Sequence, residues 1–285
     1  LNTPQSSFEN DTRMAFSEFN DLTDFLKKVR LQSTFEESHL AINDLLMLVP
    51  VLRETPNLQW PENGTLYLQG SLALANDSVF MDDLSFILDK NTQLQASGSI
   101  AQLSTDPFYN LKIDKLTTSY STLNRYTRNL GLPPALKNFG QFTLSGQVQG
   151  RLSDLTANNL NLNTQSSTRF SGDLKAKGLP DINNTVFDLK INQLATRAAD
   201  LKGFAQDSLP PQLDSLGLIQ FAGNFKGTVY DFDIKGQFQT TPGNLDTDLS
   251  VAFNQDYSFA KYNGTLAMEN FDLGSLLGDT LGVGE

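Results

Sequence analysis

The sequence predicts a mainly β protein with short helices, its antiparallel strands repeating in one curled, twisted sheet that forms an elongated apolar groove. Three observations predict it. Apolar and polar residues alternate in one segment after another, and glycines and prolines punctuate those segments at turn spacing. The whole pattern then returns after about 77–78 residues, the signature of a repeat architecture.

The repeat rests on several markers. The segment starting NLKIDKL at Asn110 aligns with the one starting DLKINQL at Asp188; Leu189 minus Leu111 is 78, and Gly223 minus Gly146 is 77. A glycine-punctuated segment recurs as GTLYLQGSL at Gly64, GQFTLSGQV at Gly140 and GLIQFAGNF at Gly217, with separations of 76 and 77. Pro133-Pro134 and Pro210-Pro211 keep the same period. The spacing Leu-x-Ile-Asn/Asp-x-Leu is also found at Leu40, Ile42, Asn43 and Leu45 and, degraded, at Leu266, Met268, Glu269 and Phe271, which suggests four copies. The implied organisation is an N-terminal helix and lead-in over 1–39, repeats over 40–110, 111–188 and 189–265, and the start of a fourth at 266–285.

Within a copy, alternation marks the strands. Phe142, Leu144 and Val148 share a face with Gly146 and Gly150, while Gln141, Thr143, Ser145, Gln147 and Gln149 take the other. The same period places Leu66, Leu68 and Leu72, then Leu94 and Ile100, Leu189 and Ile191, Ile219, Phe221 and Phe225, and Leu249, Val251 and Phe253 on a dry face. Hairpin turns are expected at Asn63-Gly64, Gly178 to Asp181, Pro242-Gly243 and Asn263-Gly264. Glycines inside strands, at Gly70, Gly146, Gly150 and Gly223, let a sheet bend sharply. About four strands per period predict roughly 14 to 16 strands in all. A short helix falls between the two repeated markers: Leu116, Tyr120, Leu123, Thr127 and Leu130 follow a helical period, as do Leu194, Ala198, Leu201 and Ala205, and a shorter version runs through Leu45, Leu48, Val49 and Leu52. A further helix is expected at Leu22, Phe25, Leu26 and Val29.

Composition excludes much chemistry. With 21 Lys+Arg against 32 Asp+Glu the net charge is -11, which repels phosphate backbones, so nucleic acid is not an expected partner. No cysteine is present, which removes thiolate nucleophiles, disulfides and thiolate metal clusters and suits a bacterial envelope protein. The single histidine, His39, has no second histidine to form a metal site and no glycine elbow near it for a catalytic triad. Asp82-Asp83 and the Asp246, Asp248 pair lack the ligand count of a calcium loop and are expected to be solvated strand residues. The expectation is therefore a protein that is not an enzyme, with no cofactor and no metal. Trp60, beside Pro61, is expected to pack at a repeat boundary. The longest apolar stretch, Leu45 to Leu52, is broken by Pro50 and is far shorter than the roughly 20 residues of a membrane span. A start at Leu1-Asn2-Thr3-Pro4, with no initiator methionine or leader, suggests an internal fragment of a longer protein.

The LKIDKL and LKINQL segments leading into a helix, the LPP turn, the GQFTLSGQVQG strand and ENFDLGSLLGDTLG at 269–282 together resemble the AsmA-like, TamB-type (translocation and assembly module) repeat proteins of Gram-negative bacteria, those of Bacteroidetes in particular. The resemblance covers nearly the whole chain and is weakest over 1–30. It implies a periplasmic cell-envelope protein, anchored in the inner membrane through a segment outside this sequence, whose repeats build a continuous apolar β-groove, or β-taco. It further implies transport of phospholipid between inner and outer membranes and a part in outer-membrane biogenesis.

A one-sided apolar sheet is ordinarily half of a sandwich or a sheet covered by helices. Repetition favours a groove, because a single curled sheet lets every dry face line one trough. Two functions compete on that basis: a lipid conduit whose groove shields phospholipid acyl chains, and a structural rod whose strand edges pair with client strands during outer-membrane protein assembly. In the first, the sixteen apolar residues named above from Leu66 to Phe253 line the groove, and a carboxylate at Phe221 is expected to block passage while harming folding less than it would in a closed core.

Overall fold

The computed structural model describes residues 3–7, 9–48, 53, 59–61, 63–88, 92–126, 134–202, 211–254 and 259–274. Fourteen strands follow one another in chain order in a single antiparallel sheet that is not closed into a barrel. They are β1 (Asn10–Ala15), β2 (Arg30–Ala41), β3 (Thr65–Ala75), β4 (Ser78–Leu88), β5 (Thr92–Ala101), β6 (Phe108–Ser119), β7 (Gln141–Arg151), β8 (Asp154–Thr164), β9 (Arg169–Lys177), β10 (Val186–Arg197), β11 (Leu218–Gly227), β12 (Asp231–Gln239), β13 (Asn244–Phe253) and β14 (Ala260–Glu269). By Cα proximity the chain divides into two compact units, Leu1–Leu130 with Thr143–Leu152, and Gly131–Phe142 with Ser153–Glu285.

Short helices interrupt the strands where the repeat places them, but those beginning at Tyr120 and Ala198 start later than the periodicity suggests and the one beginning at Ile42 starts earlier than Leu45. Helix α2 runs Ile42–Leu48, α3 Tyr120–Tyr126 and α4 Ala198–Lys202, so α3 and α4 begin 78 residues apart. Leu116 and Leu194 belong to the strands before them. A strand's final inward residues and a helix's first turn share apolar spacing over so short a stretch, and the strand's cross-strand bonds decide the matter. Val49, Leu52, Thr127, Leu130, Pro133, Ala205 and Pro210 lie outside the described residues. At the N-terminus the expected helix is a 3-10 turn over Phe19–Asp24 followed by one α turn, α1 (Phe25–Lys28), with Val29 buried behind it.

Two turn expectations change. Asn63-Gly64 lies on the link into β3, and Asn263-Gly264 lies inside β14, where Gly264 closely approaches the Asp248 carbonyl. The turn between β3 and β4 is Asn76-Asp77, both at positive φ (51° and 58°), as a type I′ hairpin requires. Pro242-Gly243 and the Gly178 to Asp181 stretch do connect consecutive strands. The Leu40 copy of the Leu-x-Ile motif also differs from the others. Leu111, Ile113 and Leu116 all lie on β6, whereas Leu40 lies on β2 but Ile42 and Leu45 lie on α2.

A line of irregularities crosses the middle of the strands. Pairing registers shift between Phe35 and Ser38, Gln69 and Ser71, Met81 and Leu84 in the first unit, and between Ala157 and Leu160 and Ile191 and Gln193 in the second. Such bulges bend a strand and raise its twist while keeping apolar residues on one face. Asp83 and Asn159 hold positive φ at these points and are 76 residues apart, since 159 minus 83 is 76. Their freed backbone amides are caught by the next strand: Asp83 N–H donates to Ser97 Oγ at 3.0 Å, and Asn159 N–H to Asp173 Oδ1 at 2.8 Å. At Gly70 (φ +105°) an added Cβ would collide with the Asp83 carbonyl, so the crease in β3 needs glycine.

The wet face helps fix the register. In the second unit Lys175, Asp188, Lys226 and Asp233 stand opposite one another on β9 to β12, alternating in sign. Lys235 and Asp248 close an ion pair at 2.5 Å across β12 and β13. Each such cross-strand pair contributes only about 0.2–1 kcal/mol, yet a one-residue slip would lose all of them together.

Candidate functional site

Register shows which residues share the apolar face. In the first unit Leu66 pairs with Leu88, Leu68 with Phe86 and Leu72 with Met81; Leu94 and Ile100 stand opposite Phe86 and Val79 on the next strand. In the second unit Leu189 faces Phe225, Ile191 faces Gly223 and Ile219 faces Thr196, while Phe221 pairs with Phe238 and Phe225 with Ile234. The rows continue to Leu249 beside Ile234, Val251 beside Phe232 and Phe253 beside Ala260. Phe142, Leu144 and Val148 lie half-buried on β7. Within each unit the predicted residues on paired strands therefore stand side by side on one face.

Burial along that face is uneven. Residues level with the crease are buried: Phe35, Leu84 and Ala96 in the first unit, Leu160 and Ile191 in the second. Away from the crease Leu66, Leu74, Leu88 and Ile219 are also buried, whereas other rows open. On β12 every inward residue, Phe232, Ile234, Gly236 and Phe238, is half-exposed, and every other residue is exposed.

The first unit closes part of its face. Leu40, Ile42, Leu66 and Leu88 form a buried cluster, and Leu45 and Leu46 of α2 pack on it together with Trp60, Leu68 and Phe86. Trp60 is thus a packing residue. At the opposite end of the strands the Tyr109 hydroxyl has its pKa raised by burial first and by the Asp106 carboxylate second.

Aromatic rings dominate the second unit. Phe225 and Phe232 stack at 4.8 Å between centroids, and Phe221 and Phe238 meet at 4.4 Å. The Phe221 ring lies over the paired glycines Gly223 and Gly236, within 2.8 Å and 2.9 Å of where their Cβ atoms would be. Phe221 is consequently only 3% exposed. The expectation that a carboxylate there would harm folding less than in a closed core rested on an open position and is corrected: Phe221 covers the bare backbone of the crease, and Phe225 or Leu249 is the residue that presents apolar surface. Thr247, on the same face, buries a hydroxyl that has no hydrogen-bond partner among the described residues.

Polar clasps tie the helix end of the sheet. Thr92 and Thr118 join their hydroxyls at 2.9 Å, and Thr168 and Thr196 at 2.8 Å. Thr168 gives its proton to Asp200 of α4 at 2.7 Å, so Thr196 is the donor to Thr168. Ser166 also donates to Asp200, at 3.0 Å. Asp44 of α2 plays the corresponding part, accepting from Thr3 at 2.8 Å and Ser6 at 2.5 Å. Those two hydroxyls, Ser6 first, hold its carboxyl below the ordinary carboxylate range. Sequence reading missed both carboxylates; their first-turn positions, 42+2 and 198+2, were the available signal.

His39 is half-buried, with its backbone paired to Ser7 and its ring 6.2 Å from Tyr67 on the wet face. Asp83 is a bulge residue accepting from Gln95, and Asp248 pairs with Lys235. Among the described residues no group of three or more His, Asp or Glu side chains is placed to hold a metal ion, and no helix is long and apolar enough to cross a membrane. No protein-family model matches the chain, and no curated protein or solved structure matches it significantly.

Proposed function

We propose that the creased apolar face shields the acyl chains of phospholipids, making the chain a segment of a periplasmic lipid-transfer conduit of the AsmA-like, TamB-type kind. The supporting observation is the half-exposed aromatic and aliphatic wall of β11 to β13, where Phe225, Phe232, Ile234, Leu249 and Val251 present apolar surface that the described residues cover only in part. Each methylene taken from water onto such a wall gains about 0.8 kcal/mol, so a chain of about 16 carbons has ample driving force before entropy is subtracted. A wall of hydrocarbon with no charge aimed into it discriminates little between lipids and suits sliding better than capture. The chemistry is non-enzymatic and needs no cofactor. In this reading the protein is held at the inner membrane by a part outside this sequence and carries lipid between the inner and outer membranes.

The test places a photo-activatable phenylalanine analogue at Phe225 or, on the wet face one residue away, at Asn224. Protein isolated from Gram-negative envelopes is irradiated and bound lipid read by mass spectrometry. Phospholipid adducts at position 225 and none at 224 are the expected result; equal adducts at both, or none at either, overturn the proposal.

A further inference from the structure

Among the described residues nine serines and threonines are buried. Eight of them have a hydrogen-bond partner, as Ser33 has Thr12, Ser38 has the Glu9 carbonyl, and Thr168 and Thr196 have each other. The ninth, Thr247, is 6% exposed and its Oγ1 has none. It lies on the apolar face of β13 at the level of the crease, between Gly236 of β12 and Leu266 of β14. Strands β5 and β9 precede β6 and β10 as β13 precedes β14, and at the same level they carry no polar side chain. Ala96 stands there opposite Ile113 of β6, and Gly172 opposite Ile191 of β10. A methyl group or a hydrogen therefore suffices at this point of the sheet. A hydroxyl that donates to nothing in apolar surroundings destabilises the fold, so the fold itself gives no reason for Thr247.

We propose that the Thr247 hydroxyl donates a hydrogen bond to the ester carbonyl of an acyl lipid lying along Ile234, Leu249 and Val251, so that the wall takes ester-linked lipids in preference to ether-linked ones. The inference rests on the lipid reading above and adds to it the chemical class of the chain's linkage. A carbonyl is the fitting acceptor because it is bonded directly to the first methylene of the chain. It is thus the polar group that follows an acyl chain furthest onto an apolar face, while the phosphate stays in water. Rotation about χ1 turns the hydroxyl without moving the backbone. One neutral hydrogen bond is worth only about fivefold in affinity, enough to favour a carbonyl and too little to arrest sliding.

The probes are dipalmitoyl phosphatidylethanolamine and its dihexadecyl ether analogue, which keeps the headgroup and lacks the carbonyls. Both are offered at equal concentration to the full chain carrying the photo-activatable phenylalanine at position 225, and adducts are counted by mass spectrometry. The ester lipid should be favoured about fivefold. Thr247→Val, of the same shape, should abolish the preference by weakening the ester lipid alone, and Thr247→Ser should keep it. A reading that needs no lipid comes from urea denaturation: the Thr247→Val midpoint should rise, because a hydroxyl without a partner is removed. Equal adducts from the two lipids, a preference that survives in Thr247→Val, or a midpoint that falls would each overturn this inference and leave the lipid reading standing. No adduct from either lipid would overturn both.

Discussion

The two units put the same strand pattern to different ends. In the first, the helix-side rows are roofed: α2 lays Leu45 and Leu46 over Leu40, Leu66 and Leu88, and a small core results. In the second, α4 (Ala198–Lys202) is tied down through Asp200 and Ile219 and Phe221 on the helix side of β11 are buried as well, while Phe225, Phe232, Ile234, Leu249 and Val251 further along their strands remain half-exposed. Alternation therefore specifies which face is apolar without specifying whether that face is a core. What decides is the covering element, and the covering element is the least regular part of the repeat.

The sharpest way to break this contrast is one truncation in each unit. Leu66→Ala removes a side chain that is buried among Leu40, Ile42 and Leu88, and it should cost about 3 kcal/mol, within the range for leucines in closed cores. Leu249→Ala, on the half-exposed wall, should cost about 1 kcal/mol, because little cavity forms where solvent already reaches. Urea denaturation midpoints measure both, and similar losses would mean that the second wall is as closed as the first.

A second substitution separates the crease from the rows it divides. Gly70 sits at φ +105° with the Asp83 carbonyl where a Cβ would go. Gly70→Ala should cost about 2 kcal/mol through backbone strain, even though it adds a methyl to an apolar face. Ser71→Ala, one residue along on the same strand and at negative φ, should be nearly silent. If Gly70→Ala is silent too, the bulge between Gln69 and Ser71 is not what holds the crease.

Much of this fold was legible in the sequence because a β-strand's period of two is a local property. Phe142, Leu144 and Val148, or Leu249, Val251 and Phe253, disclose their shared face without reference to anything distant. The chain-order antiparallel arrangement followed from short connections and a repeat. Three features were hidden. β1 and β2 read poorly as strands because β2 places Ser33 and Ser38 on the inward face and interrupts its alternation at Glu36-Glu37, where the register shifts. The extents of α3 and α4 were obscured because Leu116 and Leu194 satisfy helical and strand spacing alike. Phe221 looked like any other wall residue, since nothing local reveals that Gly223 and Gly236 pair beneath its ring. The apolar face was thus readable as a set, but the ranking of its members by exposure was not.

The smallest expected effect concerns how the covering helix of the first unit is held. Asp44 accepts from the Ser6 and Thr3 hydroxyls, and Ser6 Oγ in turn accepts the Ala41 amide at 2.9 Å, so one carboxylate organises the junction of the N-terminal segment, β2 and α2. These donors lower the Asp44 pKa in the folded protein. A depressed folded value means that the stabilisation is complete above the unfolded value near pH 4 and is lost as pH falls through the lower folded value. Acidification into that window should protonate Asp44, loosen residues 3–7 and expose the Ala41 amide. Hydrogen exchange at Ala41 measures the first effect directly. Asp44→Asn should speed that exchange at neutral pH and flatten its acid dependence, because the amide cannot change charge. An acid response that persists unchanged in Asp44→Asn would assign the titration to another carboxylate and leave α2 held by the Leu45 and Leu46 contacts alone.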